Sequence, residues 1–185
     1  MKLRKLLPKD APHMLSWMHD DSINRWFPQN FKDYQKRDVL TFIRSSQKAI
    51  KNTRKILDMH LACADGDDIY LGTVSLKNID HHHSHAEYAI SFCKRAHGTG
   101  AAKFATDEIL RIAFAELKLE RVYWCVVPEN KRANSFYIKQ GFILEGVSRK
   151  HVFLRGAFYD LNWYGIIKDE YVERSGSHPE HHDSR

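Results

Sequence analysis

Six consecutive residues, Arg95-Ala96-His97-Gly98-Thr99-Gly100, stand between an apolar strand-like run at 86–93 and an amphipathic stretch. In that stretch Ala102, Ala105, Ile109, Ile112 and Ala113 fall on one helix face. A helix starting here exposes the N–H groups of its first turn and the positive end of its dipole, and the two glycines let backbone come close to an anion. The chemistry on offer is capture of a pyrophosphate. Two common phosphate loops do not fit. A dinucleotide loop needs a third glycine where this chain has Lys103, and no G-x-x-x-x-G-K-[ST] run is present. A strand-to-helix turn without a ligand is the competing reading.

A second group follows about 30 residues on. The apolar strand-like run 122–127 ends at Pro128, Asn130 is placed as a helix N-cap, and Gly141 as the residue that ends the same helix. Asn130, Asn134 and Tyr137, spaced four and three apart, lie on one helix face. Taken alone, Asn130 serves as a cap and Tyr137 as a half-buried core residue as readily as either serves a ligand.

The two groups together, in this order, resemble the GNAT superfamily of N-acetyltransferases. R-x-x-G-x-G matches its acetyl-CoA signature, and Asn130, Ala133, Tyr137, Gly141 and Phe142 match its N-x-x-A-x-x-x-Y-x-x-x-GF element. The resemblance covers roughly residues 2–171. The amino-terminal Trp17-Met18-His19-Asp20-Asp21 segment is most similar to the RimJ/RimL and amino-sugar branches. It implies a GNAT fold, α/β (α+β), with a mostly antiparallel twisted sheet of six to seven strands flanked by about four helices. It also implies acetyl-CoA as co-substrate, with no metal. Arg95, His97, Gly98, Thr99, Gly100 and Ala101 would hold the pyrophosphate. Asn130 and Asn134 would meet the pantetheine arm, and the backbone of Ile90, Ser91 and Phe92 would polarise the thioester.

An amine must be neutral to attack a thioester, and alkylamines are protonated near neutral pH. The reaction therefore needs a proton acceptor, a donor for the forming oxyanion and an acid for the leaving thiolate. Tyr137 is the candidate acid. Glu87 is the candidate base, directly or through water, with an exposed strand carboxylate as the equal alternative. The acceptor is sought among the segments 17–37, 81–85 and 149–159. Trp17, Arg25, Trp26 and Phe27 suit a sugar ring or a nucleotide, so a nucleotide-linked amino sugar is the first expectation and a protein N-terminus the second, with polyamines and antibiotics after them. A non-catalytic acyl-CoA- or RNA-binding module is the reading from another class, although no stacking motif of the known RNA modules is present.

These residues require elements to position them. The period of the apolar residues predicts a first strand at 3–9, helices at 11–19 and 34–49, a hairpin of strands at 55–64 and 69–76, and strands before and after the two site helices. One domain at 1–171 is expected, with a disordered tail at 172–185. Within that tail, 175–185 holds no apolar residue except Pro179.

The chain has 185 residues, 43% of them hydrophobic, which suits one packed domain. No run approaches a membrane span and no apolar signal core follows the basic start, so a cytoplasmic protein is expected. The three cysteines, Cys63, Cys93 and Cys125, are read as free thiols in strands. The net charge of +6 suits a polyanionic co-substrate, and nucleic acid is not the expected partner. His81, His82, His83 and His85 read as a solvated loop and not as a metal site. The apolar stretch 158–167 is a candidate for pairing with a second copy in a homodimer.

Overall fold

The computed structural model describes residues 1–51 and 57–176. Seven strands and six helices make up the described chain. Strand β1 (Lys2–Lys5) leads through a 3-10 turn at Pro8–Asp10 into α1 (Ala11–Met18), α2 (Asp21–Asn24) and α3 (Lys36–Lys51). Then come β2 (Met59–Ala64), β3 (Tyr70–Asp80), β4 (His85–Phe92) and α4 (Ala101–Arg111), which runs on as a π turn at Ile112–Glu116. The chain closes with β5 (Arg121–Val126), α5 (Lys131–Lys139), β6 (Ile143–Leu154), β7 (Ala157–Ile167) and α6 (Lys168–Gly176). The strands form one sheet in the order β1-β2-β3-β4-β5-β7-β6. Every pairing is antiparallel except β4 with β5.

The sheet buries both faces, and the period of each element decides which residues go where. On one face α4 lays Ala101, Ala105, Ile109 and Ala113 against Val74, Leu76, Tyr88 and Val122. On the other, α1 and α3 pack Met14, Trp17, Val39 and Ile43 over Ala62 and Tyr70. Strand β4 feeds both sides. Ala86, Tyr88 and Phe92 are buried toward α4, while Glu87, Ala89 and Ser91 are half-buried on the opposite face.

Several expectations shift in detail. The first strand ends at Lys5, because Pro8 opens a 3-10 turn that a strand cannot contain. Residues 55 and 56 of the expected second strand lie outside the described residues, and β3 extends past Leu76 to Asp80. The helices number six rather than about four. The added ones are α2, capped by the Asp20 side chain on the Ser22 N–H at 2.9 Å, and α6. Helix α6 takes in 172–176, part of the expected tail, and residues 177–185 lie outside the described residues. Cys63 and Cys125 sit in strands, whereas Cys93 follows β4. All three thiols are free, and burial pushes those of Cys63 and Cys125 up to about 11. Strand β7, expected to offer itself to a second copy, is paired on both sides by β5 and β6, so β6 is the edge.

Candidate active site

The site begins as a gap in the sheet. Strands β4 and β5 pair only at their starts, His85 with Arg121, Ala86 with Val122 and Glu87 with Tyr123. Beyond that they separate, one strand toward the glycine loop and the other toward Pro128. Alternate residues of β4 bond to β3, and the others aim their N–H and C=O groups into the gap, where no strand meets them. Backbone polar groups in such a place need a partner. A cavity of about 410 Å³ opens here, and Ile90, Ser91 and Phe92 of β4 face Trp124, Cys125 and Val126 of β5 across it. An extended amide-bearing chain such as pantetheine fits this space and these groups.

The glycine loop stands at the mouth of the gap. Gly98 and Gly100 hold φ angles of +81° and +83°, and Gly100 is the N-cap of α4. Within the described residues the amides of Gly98, Gly100, Ala102 and Lys103 make no hydrogen bond, so four N–H groups are left at a helix N-terminus. Thr99 closes the turn, donating from its hydroxyl to the Ala96 carbonyl at 2.8 Å. The Arg95 guanidinium donates to the carbonyl of Tyr70, tying the loop to β3. His97 Nδ1 lies 2.7 Å from an Arg132 guanidinium nitrogen. Burial, reinforced by Arg132, holds the imidazole of His97 below its ordinary range. Ala101 is fully buried, so it contributes backbone and core packing.

Across the gap, α5 begins at Asn130, whose side chain accepts from the Ala133 N–H at 3.2 Å. The cap reading of Asn130 holds, and the residue also lines the cavity. Asn134, expected at the pantetheine arm, lines neither the gap nor its neighbouring cavity. Its amide donates to the carbonyls of Val127 at 3.0 Å and Asn130 at 2.8 Å. Its oxygen accepts from Asn162 at 2.9 Å and from the Tyr164 hydroxyl at 2.8 Å. With every polar position engaged and only 9% of the residue exposed, Asn134 fastens α5 to β7.

Tyr137 lines the cavity with its ring between Tyr88, Trp124, Phe142 and Tyr164, and its hydroxyl makes no hydrogen bond to any described residue. Burial raises its pKa well above the ordinary phenol value, so the group stays protonated at neutral pH.

A second cavity of about 870 Å³ adjoins the first, sharing Phe27, Gln29, Lys77, Ala89, Ile90 and Ser91 with it. Its wall carries Trp17, Phe27, Phe31 and Tyr34, which pack in a chain with centroids 5.1 to 5.6 Å apart, tilted between Trp17 and Phe27 and edge-on in the other pairs. Asp33 and Asp38 stand on the same wall. Of the residues expected to hold the acceptor, Trp17 and Phe27 line this cavity and Trp26 lines the first one. Arg25 lines neither. Its guanidinium rests 4.8 Å over the Trp26 ring and it is solvent-exposed. Glu87 lines the first cavity, but both its oxygens are engaged, by Lys77 at 2.6 Å and by Asn78 at 2.9 Å.

Sequence reasoning missed Arg132, Lys77, Ser75 and His60. The period of two along β3 was the available signal for Thr73, Ser75 and Lys77, since it puts all three on one face. Nothing local to Arg132 announces its partner His97, 35 residues away. At the histidine loop, Asp80, His83 and His85 place one ligand atom each within 4.8 Å of one another. Asp80 is already used there, accepting from the N–H groups of His82 and His83 and from His83 Nδ1.

A split parallel strand pair, a ring of free amides at a helix N-terminus and an unbonded phenol beside the gap define an acyl-coenzyme A-dependent acyltransferase. Residues 1–143 match the acetyltransferase (GNAT) domain model, and the chain belongs to that family of acetyl-CoA-dependent N-acetyltransferases. It is 25% identical over 166 residues to a spermidine N(1)-acetyltransferase of Vibrio cholerae, covering 87% of this chain and 91% of that one. It is 30% identical over 105 residues to the putative ribosomal N-acetyltransferase YdaF of Bacillus subtilis, spanning 57% of each. In fold it is similar to the crystal structure of the Vibrio cholerae spermidine N-acetyltransferase in complex with CoA and spermine. The TM-score is 0.81 at 22% identity, over 92% of this chain and 97% of that one. Among the described residues no helix is long and apolar enough to cross a membrane.

Proposed function

We propose that the enzyme acetylates an aliphatic primary amine that enters as a small cation, of the polyamine class. The observation that carries this is the second cavity. It joins four aromatic rings to the carboxylates of Asp33 and Asp38, and its one lining lysine, Lys77, is already paired with Glu87. Rings and carboxylates attract an ammonium. A nucleotide-linked amino sugar would bring phosphates to a wall whose only lysine or arginine is that paired Lys77. Arg25, the cation expected for those phosphates, lies outside. The spermidine acetyltransferases among the relatives support the same reading.

In this reaction acetyl-CoA supplies an activated acetyl thioester. The backbone of Ile90 to Phe92 meets the thioester in the gap, and the free amides of the glycine loop hold the pyrophosphate. The amine arrives from the aromatic wall and attacks directly, with no acyl-enzyme. Glu87, which lines the first cavity, neutralises Lys77 beside the approaching ammonium. Tyr137 gives a proton to the departing sulfur.

Thiol release from acetyl-CoA, measured separately with spermidine, a nucleotide-linked amino sugar and an N-terminal peptide, tests the acceptor class. Spermidine is expected to give release and the other two little. Preference for either of the others would overturn the assignment. Asp33→Asn with Asp38→Asn is expected to raise KM for spermidine about tenfold with kcat little changed, the pattern of lost uniform binding.

Self-association belongs to the same proposal. Ile143, Leu144, Val147 and Phe153 on β6 and Phe158 on β7 are exposed, an apolar surface on an unpaired edge that single chains rarely present. Val147→Lys with Phe153→Lys is expected to reduce the sedimenting mass to that of a monomer. A wild type that already sediments as a monomer would remove this element.

A further inference from the structure

The face of the sheet beneath the second cavity carries a polar row that the acetyl-transfer reading does not use. His60, Ser75 and Ala89 are direct partners across β2, β3 and β4. Ala89 lines both cavities, so this row starts at the acetyl end and runs beneath the acceptor end. Strands lie about 4.8 Å apart, so Ser75 is one spacing and His60 two spacings, about 10 Å, from β4. His60 Nδ1 and the Ser75 hydroxyl are 2.7 Å apart. The imidazole packs edge-on to Phe42 of α3 with centroids 4.9 Å apart. Both side chains line the acceptor cavity.

We propose that Ser75 and His60 are the proton exit for the acceptor amine. The proposal rests on the acetyl-transfer reading and names the group that makes the amine neutral. The bound ammonium gives one proton to the Ser75 oxygen, directly or through one water, as the Ser75 proton passes to His60 Nδ1. The neutral nitrogen bonds to the thioester carbon and the C–S bond breaks. Tyr137 gives its proton to sulfur, and the excess proton on nitrogen returns to the Tyr137 phenolate. The balance is an acetylamide, coenzyme A thiol and one proton, which leaves from the His60 imidazolium to water in the cavity.

The surroundings of His60 suit a neutral acceptor. Burial pushes its pKa below the ordinary imidazole value and Lys77 on β3 acts in the same direction, while Asp58 opposes. The other charged groups on this side are Glu87 on β4, which holds Lys77, and Asp38 of α3 with Asp33 on the turn before it. On β1 the residues sharing this face are Lys2, paired with Asp68, and Arg4, bound to Asp10 and Asp68. Glu87, with donors on both oxygens, is the less available acceptor.

The test is kcat at saturating acetyl-CoA and spermidine over roughly pH 5 to 9 for wild type, His60→Gln, Ser75→Ala and Glu87→Gln. The wild type is expected to rise along an acidic limb centred below the free imidazole value of about 6.5. His60→Gln should lose about 10²-fold in kcat at neutral pH, and that limb should give way to a climb into alkaline pH. Ser75→Ala should do the same and serves where His60→Gln melts early, whereas Glu87→Gln should keep the limb. A folded His60→Gln enzyme with the wild-type limb would overturn the relay, as would its loss in Glu87→Gln alone. A wild type that binds acetyl-CoA and releases no thiol would instead overturn the transfer reading, and the relay with it.

Discussion

Tyr137→Phe is expected to lower kcat by about 10²-fold or more while leaving acetyl-CoA affinity near wild type. The ring supplies the packing, in contact with Tyr88, Trp124, Phe142 and Tyr164, and phenylalanine keeps all of it. The hydroxyl bonds to no described residue, so its removal leaves no protein group unsatisfied and the fold should be spared. What is lost is the proton that the proposed mechanism gives to the leaving sulfur. A thiolate is a tolerable leaving group unaided, which is why residual turnover should persist. The sign of the pH effect follows from the raised pKa of Tyr137. Its proton is held throughout the neutral range and lost only at strongly alkaline pH, so Tyr137 contributes no falling limb near neutrality. Equal kcat in the two proteins, with calorimetry showing equal binding, would remove Tyr137 from the chemistry.

The structure also shows which parts of the site a linear reading can reach. The glycine loop and the Asn130–Tyr137 face were legible because each is local. A strand, a turn with two positive φ angles and a helix start lie within about 30 residues, and residue types such as glycine and asparagine carry a direct conformational meaning. Asn134 shows the limit of such local reading. Its helix face could be read, but its partners Asn162 and Tyr164 belong to β7, and only the sheet order brings them there. The acceptor side was partly legible. Trp17 and Phe27 were legible as aromatic wall, but Asp33, Asp38, His60 and Ser75 reach that wall from the turn before α3, from α3, from β2 and from β3. Arg25 failed differently, since a residue's type cannot tell a phosphate ligand from a guanidinium stacked on the tryptophan that follows it. The strand orders, the edge position of β6 and the split of β4 from β5 depend on non-local pairing that no periodicity encodes.

Replacing Gly98 and Gly100 together by valine is expected to weaken acetyl-CoA binding on the order of 10²-fold. Both glycines hold φ near +80°, a conformation that costs an L residue about 1–2 kcal/mol, and more for a branched one. Nothing lies within 4 Å of a Cβ placed at either position, so the change meets no wall in the free protein. The exposed loop can therefore relax without coenzyme, with little change in melting temperature. Binding would demand the left-handed turns again, because only they aim the amides of Gly98, Gly100, Ala102 and Lys103 at one anion, and the conformational cost would then be charged against affinity. Two positions at this cost correspond to roughly 2–4 kcal/mol, about two orders of magnitude in Kd. A calorimetric Kd unchanged by the double substitution would mean that the pyrophosphate sits elsewhere. A melting temperature that falls with the affinity would mean that the turns are needed by the fold itself.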